Sequence, residues 1–397
     1  MDLDRILKKP QAGELLTEEE AAALLSLPPD RRKPVYAAAD RLNRRLNGRR
    51  ISYVFNRNIN FTNACSSACA FCGYRVEPDD EAAYVLSPAE AVHLAGLTPG
   101  IDEVCMVGGL NPELTFDHLL AIFAAIHEAF PHVHIHALSP MEIEWYSSRA
   151  GLTPRETFTR LLSAGYGSLC GTAAEILVDE VRRIICPSKL STARWVEIVR
   201  TAHEMGIRST STILFGHIEK PVHVAAHLSV LRDLQADTGG ITEFIPLVFM
   251  PHNTPLGRAY GIREVAAKED VFLLYAVARL FFGRLIPNLQ TSWCKLGLDV
   301  AVETFDYGVN DLGGTLMAES ITRCAGGKHG EALTCDQMVA AIRGAGRTSV
   351  RRDTLYHILN APGGAKDGPL AHRRPMHSKN DSSQTFPRSL PGQSTTW

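Results

Sequence analysis

The segment NRNINFTNACSSACAFCGYR, residues 56–75, decides how this chain is read. Its cysteines, Cys65, Cys69 and Cys72, follow a C-x3-C-x2-C pattern. They come directly after residues 51–61, an apolar-rich run that reads as a β-strand. Three thiolates at this spacing can wrap a compact iron–sulfur cluster, whereas structural zinc ordinarily takes four protein ligands. The next cysteine, Cys105, falls inside another predicted strand. The fourth position is therefore left to a small molecule on an open iron or, if the metal is zinc, to a histidine.

From residue 51 onward, short apolar segments alternate with longer amphipathic ones. Predicted strands cover 51–61, 103–108, 133–138, 165–170, 209–215, 242–248 and 288–293, with a weaker one near 308–312. Between them lie helical patterns over 87–96, 115–129, 154–163, 174–185, 191–205, 221–236 and 268–284. Strand–helix alternation implies parallel strands with crossover helices. Seven or eight such units fit a (β/α) TIM-type barrel, complete or nearly so; an open doubly wound sheet is the alternative. In a barrel, the cysteine loop lies at the C-terminal face, where active sites are built.

The domain expectation is an N-terminal helical extension over 1–48, a barrel with a C-terminal elaboration over 49–357, and a disordered tail over 358–397. Thr17 with Glu20 makes a capping box in the extension. The tail is rich in Gly, Pro, Ser and charge, too polar to bury a core. The chain has 397 residues, 45% hydrophobic and 21% charged, with a formal net charge of −2. Such a balance gives no reason to expect a nucleic acid or an anionic membrane as partner, and no apolar run is long enough to span a bilayer. The charged start lacks a secretory layout, so a cytoplasmic location is expected. Of nine cysteines, the six outside the motif (Cys105, Cys170, Cys186, Cys294, Cys324 and Cys335) read as scattered, buried and inert.

Further motifs fall at successive strand ends. Phe71 precedes Cys72; VGGLNP, with Gly108 and Gly109, ends the second strand; LFGHIE, with Gly216 and Glu219, ends the fifth. Together these resemble the radical S-adenosylmethionine superfamily. That resemblance implies one 4Fe–4S cluster held by Cys65, Cys69 and Cys72, with S-adenosyl-L-methionine on the open iron. It further implies cofactor contacts from Phe71, Tyr74, Gly108, Gly109, Glu175, Gly216 and Glu219. Glu175 is expected to begin a helix, where a carboxylate is favourable in any case.

The segments GTAAEIL, RRIICPSKL, TGGITEFIPL and NDLGGTLMAESITRCAGGKHG carry the resemblance further, to the tyrosine-using branch of the FO synthase family. This implies a transferase that joins the 4-hydroxybenzyl group of L-tyrosine to 5-amino-6-(D-ribitylamino)uracil on the route to coenzyme F(420). Cleavage of the tyrosine Cα–Cβ bond releases 2-iminoacetate, alongside methionine and 5′-deoxyadenosine. The implied partners are a separate radical enzyme that closes the deazaflavin ring and an electron donor, either a reductase or a flavodoxin or ferredoxin. The chain departs from the family pattern at Cys170, where proline is usual, and at Gly73–Tyr74. Strand-end polar groups supply the remaining candidates: His136, Ser139, Glu142 and His217 for catalysis, and Glu243, Gln290, Ser292, Asn310 and Asp311 for substrate. A futalosine-pathway radical enzyme and a zinc-stabilised scaffold are the rival readings.

Overall fold

The computed structural model describes residues 2–359. Nine strands form: β1 Arg50–Val54, β2 Asn56–Ile59, β3 Glu103–Met106, β4 His134–Ala137, β5 Tyr166–Leu169, β6 Ser209–Phe215, β7 Ile241–Val248, β8 Asp311–Gly314 and β9 Thr348–Arg351. One sheet runs β2-β3-β4-β5-β6-β7 and the other β8-β1-β9, and every pairing is parallel. Two isolated bridges, Phe244 with Leu289 and Gln290 with Asp311, join β7 to β8. Because β1 and β2 are separated only by Phe55, the two sheets close into a ring. The barrel expected from strand–helix alternation is the one formed, not an open sheet.

Two strand expectations are corrected. Residues 288–293 make bridges rather than a strand; Pro287 precedes them and a short helix, Trp293–Leu296, begins at their end. Residues 51–61 split at Phe55, whose N–H and C=O both turn to Asp102. Beyond that point the strand pairs with β3, and before it with β9, which pattern reading missed. β9 is anchored beside β3 by Arg351, which makes a two-pronged ion pair with Asp102 at 2.7 Å on each prong.

The seam of the ring rests on Asn56. Its Oδ1 accepts the Leu316 N–H at 2.9 Å, and its Nδ2 donates to Glu103 at 2.8 Å. Its backbone N–H and C=O are both engaged by the Thr315 hydroxyl. Gly314 makes this possible, since a Cβ there would lie 2.1 Å from Asn56 Oδ1.

Helices Leu3–Ala12, Glu18–Leu25 and Lys33–Asn47 form the extension, and the Thr17–Glu20 capping box is present. Lys33–Asn47 buries Val35, Ala38, Ala39 and Leu42, one stripe at helical spacing, against helix Lys268–Phe282. Glu18–Leu25 packs on Pro221–Thr238. Of the expected tail, Ile358 and Leu359 are bonded to Arg352 and Arg351; residues 360–397 lie outside the described residues. No helix among the described residues is long and apolar enough to cross a membrane.

Replacing Asn56 by alanine removes the acceptor of the half-buried Leu316 N–H and the amide donor to the buried Glu103 carboxylate, and an unmet group of this kind typically costs about 1–3 kcal/mol. Asn56→Ala is expected to lower the urea midpoint of the apoprotein with an unchanged slope; an unaltered midpoint would mean that the seam is held elsewhere.

Candidate active site

Alternation along the strands sends every second side chain inward. The inward set is Asn56 and Asn58 on β2, Glu103 and Cys105 on β3, His136 on β4, Thr210, Thr212 and Leu214 on β6, and Glu243, Ile245 and Leu247 on β7. These residues line one cavity of about 330 Å³ together with Phe71, Cys72 and Gly73 of the cysteine loop. The cluster motif and the barrel interior therefore share one chamber.

At the loop end, the Cys65 sulfur accepts N–H bonds from Ser67 at 3.4 Å and Leu110 at 3.2 Å. The Ser67 hydroxyl lies 3.3 Å from Cys69 Sγ. Burial raises the Cys69 thiol, and the Lys189 ammonium opposes that rise. Donors and a cation aimed at sulfur suit thiolates. Three thiols on one loop beside an open chamber fit a cluster, which Cys65, Cys69 and Cys72 would hold.

Gly73 has a packing reason: a Cβ there would meet the Ala325 Cα at 2.8 Å and the Cys324 C=O at 2.9 Å. Tyr74 points away from the cavity. Its hydroxyl bonds Tyr84 at 2.7 Å, and burial raises it well above the usual phenol range. Glu175 lines the cavity and receives Lys189 Nζ at 2.6 Å. It does not begin a helix, because it sits in the left-handed region with φ of 47° and the helix starts only at Asp179. Lys189 also lies over the Phe71 ring, 5.1 Å from its centroid.

Other expected residues stand behind the wall. Ser139 and Glu142 form a buried capping box at the start of helix Pro140–Ala150, and Glu142 accepts the Gly108 N–H at 2.9 Å. The Gly109 N–H goes to the Thr62 C=O, so neither glycine has an N–H to spare and only carbonyl oxygens remain for an ammonium group. His217 is fully enclosed, bonded to the Leu214 C=O at 3.1 Å and the Ile218 N–H at 2.7 Å. Glu219 folds back to accept the N–H groups of Gly216 at 2.5 Å and His217 at 2.9 Å. Burial would raise this carboxyl, but those bonds and His217 hold it at about 2. Asn310 is spent on Arg279 and the Leu289 N–H.

The far end of the cavity was not foreseen. Arg352, just after β9, is buried and binds both Asp311 oxygens, at 2.6 and 3.1 Å. It also reaches Gln290 at 3.3 Å and Glu243 at 3.5 Å, while Tyr356 hydrogen-bonds Glu243. One guanidinium thus serves two carboxylates and holds Asp311 the closer. Burial pushes Glu243 up to about 7 against the pull of Arg352. Asn58 Oδ1 is buried without a hydrogen-bond partner on a residue that faces the cavity. His136 also faces it; burial lowers the imidazole to about 4, so it is neutral. Ser292 lines the wall beside Cys294, at 3.4 Å. Three cysteines expected to be scattered and inert, Cys105, Cys170 and Cys294, face this chamber. The short β9 pattern TSVR, followed by a second arginine, was the available signal for Arg352.

These features, a (β/α) barrel whose cysteine loop opens on an interior chamber, define a class. The superfamily model described as "Radical SAM superfamily" matches residues 59–231, and that for the "CofH/MqnC C-terminal region" matches 238–364. The 5-amino-6-(D-ribitylamino)uracil–L-tyrosine 4-hydroxyphenyl transferase of Methanopyrus kandleri is 46% identical over 81% of this chain and 88% of its own length. That of Synechococcus elongatus is 45% identical over 85% and 92%. The FO synthase of Mycobacterium tuberculosis is 44% identical over 87% of this chain, which spans only 40% of that protein. Among solved structures, the FeFe-hydrogenase maturase of Carboxydothermus hydrogenoformans superposes with a TM-score of 0.67 at 17% identity, covering 89% of this chain and 80% of its own. Methylornithine synthase gives 0.66 at 19%, covering 87% and 97%; both show the fold alone. The chain belongs to the radical S-adenosylmethionine superfamily and, within it, to the family of 5-amino-6-(D-ribitylamino)uracil–L-tyrosine 4-hydroxyphenyl transferases. That family works with a 4Fe–4S cluster and S-adenosylmethionine, and the scaffold reading is set aside.

Glu219 supplies a pH-dependent contribution to stability. Its folded value lies below the ordinary 4.5, so the contribution is complete above about pH 4.5 and fades as the pH falls toward 2. The shift corresponds to up to about 3 kcal/mol. Glu219→Gln is expected to destabilise the apoprotein by most of that at pH 7, with the gap from wild type narrowing below pH 4.5 in paired urea titrations.

Proposed function

We propose that this chain transfers the 4-hydroxybenzyl group of L-tyrosine to 5-amino-6-(D-ribitylamino)uracil, using one 4Fe–4S cluster. The observation that carries this reading is the single chamber running from Cys72 to the Arg352–Glu243–Asp311 floor, in a chain 46% identical to a transferase of that name. When bound, the cluster and S-adenosylmethionine supply a one-electron cleavage that yields a hydrogen-abstracting radical.

The protein's own groups bind, orient and exclude water. At the loop end, Glu175 and the strand-end carbonyls accept bonds from a cofactor's amino and ribose groups. Asn58, Gln290 and Ser292 offer polar contacts to a substrate in the middle of the chamber. The apolar wall of Ile245, Leu247, Phe249 and Trp293 suits a phenol ring and keeps the space dry, which limits side reactions of a radical. Hydrogen abstraction at an amine requires the amine neutral, so a base must first take the ammonium proton. Glu243, poised near neutral pH, is suited to that task, more so than His136, whose imidazole is a far weaker base. A ring-closing radical partner and an external electron donor complete the reading.

The test is to incubate reduced, cluster-loaded protein with S-adenosylmethionine, tyrosine and the diaminouracil. A hydroxybenzyl adduct and glyoxylate from 2-iminoacetate are expected alongside 5′-deoxyadenosine. Cofactor cleavage without either product would sink the assignment and favour a sister enzyme of the futalosine type. If Glu243 is the base, the rate rises about tenfold per pH unit up to about pH 7 and then levels. Glu243→Gln should flatten that profile and lower kcat by about 10²-fold or more, at unchanged iron content.

A further inference from the structure

Cys105, His136 and Cys170 form a second constellation of soft ligands, separate from the cysteine loop. One sulfur or nitrogen atom from each lies within 4.8 Å of the other two. The register explains the grouping. Cys105 on β3 is the direct partner of His136 on β4, and His136 is the partner of Ser168 on β5. Cys170 follows two residues after Ser168, on the same inward face, with its N–H fixed to the Leu138 C=O at 3.0 Å. Three neighbouring strands thus bring two thiols and an imidazole to one patch of the cavity wall.

The imidazole is already oriented. Ser168 Oγ lies 2.7 Å from His136 Nδ1 and 2.7 Å from His134 Nε2. If Ser168 accepts the proton of His136 Nδ1 and donates its own to His134, His136 Nε2 keeps a free lone pair. A hydrogen bond from the distal ring N–H is the usual support of a metal-binding histidine, and here a serine hydroxyl takes that place.

We propose that Cys105, His136 and Cys170 bind one zinc ion through two sulfurs and Nε2, with the fourth position open to the cavity. Binding releases the two thiol protons, so Zn²⁺ with two thiolates and a neutral imidazole carries no net charge, as a buried site requires. Tetrahedral zinc needs sulfurs about 3.8 Å apart, from Zn–S bonds of about 2.3 Å, so side-chain rotations from the present spacing suffice. Three protein ligands and one open position make the pattern of zinc that meets a substrate, not of zinc that only braces a fold. An oxygen or nitrogen donor of whatever occupies the chamber would complete it. The site does not depend on the identity of the substrate.

The test uses the full chain, reconstituted anaerobically with iron and sulfide, exposed to zinc and then desalted. Metal analysis is expected to find roughly one zinc per chain beside roughly four irons. Zinc-edge X-ray absorption should show two sulfurs at about 2.3 Å and lighter donors at about 2.0–2.1 Å. Cys105→Ser and Cys170→Ser should each weaken zinc retention more than about tenfold while the irons stay. Wild type without zinc, zinc with three sulfurs, zinc held equally by both variants, or a Cys105–Cys170 disulfide in zinc-free anaerobic protein would each overturn the proposal. Should a variant lose its irons as well, the wild-type spectrum alone decides.

Discussion

The barrel closes at a side-chain amide. Asn56 holds the end of β8 through the Leu316 N–H and the start of β3 through Glu103, while the Thr315 hydroxyl occupies both of its backbone groups. A parallel sheet must satisfy every buried N–H and C=O, and at a seam between bent strands the regular ladder cannot do so alone. One amide, offering a donor and an acceptor together, fills the gap. The chamber exists because this ring is closed: the inward faces of β2 to β8 then look at each other and not at solvent.

Inside that ring one group of charges is gathered at the floor. Arg352 comes from outside the eight barrel positions, on the turn after β9, and its guanidinium neutralises Asp311 closely and Glu243 loosely. Asp311 is the more closely paired of the two, while burial leaves Glu243 near its midpoint at neutral pH. The opposite end carries the cysteine loop, with Lys189 tying Glu175 to the neighbourhood of Cys69 and Phe71. A polar floor, an apolar waist and a sulfur-rich mouth give the chamber a direction.

Several expectations drawn from strand-end polarity met local hydrogen-bond needs instead. Ser139 and Glu142 cap a helix, His217 and Glu219 tie down the turn after β6, and Asn310 answers Arg279. Each lies at a strand end as foreseen, yet a side chain there can turn back to satisfy its own turn as easily as it can face the cavity. Tyr74 is a similar case, buried against Tyr84. By contrast His136, Glu243, Gln290 and Ser292 do line the cavity, because strand alternation sets their direction.

Sequence by itself determined the cysteine loop, the alternation of strands and helices, the capping box at Thr17 and the family, since all of these are local patterns read along the chain. Tertiary structure alone decided the split of the first strand at Phe55, the insertion of β9, the Arg352 floor and the meeting of Cys105, His136 and Cys170. These depend on contacts between residues up to about 300 positions apart, such as Ser52 and Val350 or Asn56 and Leu316. No periodicity within a segment encodes which distant strand will lie beside it. The register of a closed sheet does, by bringing every second residue of each strand to the same interior.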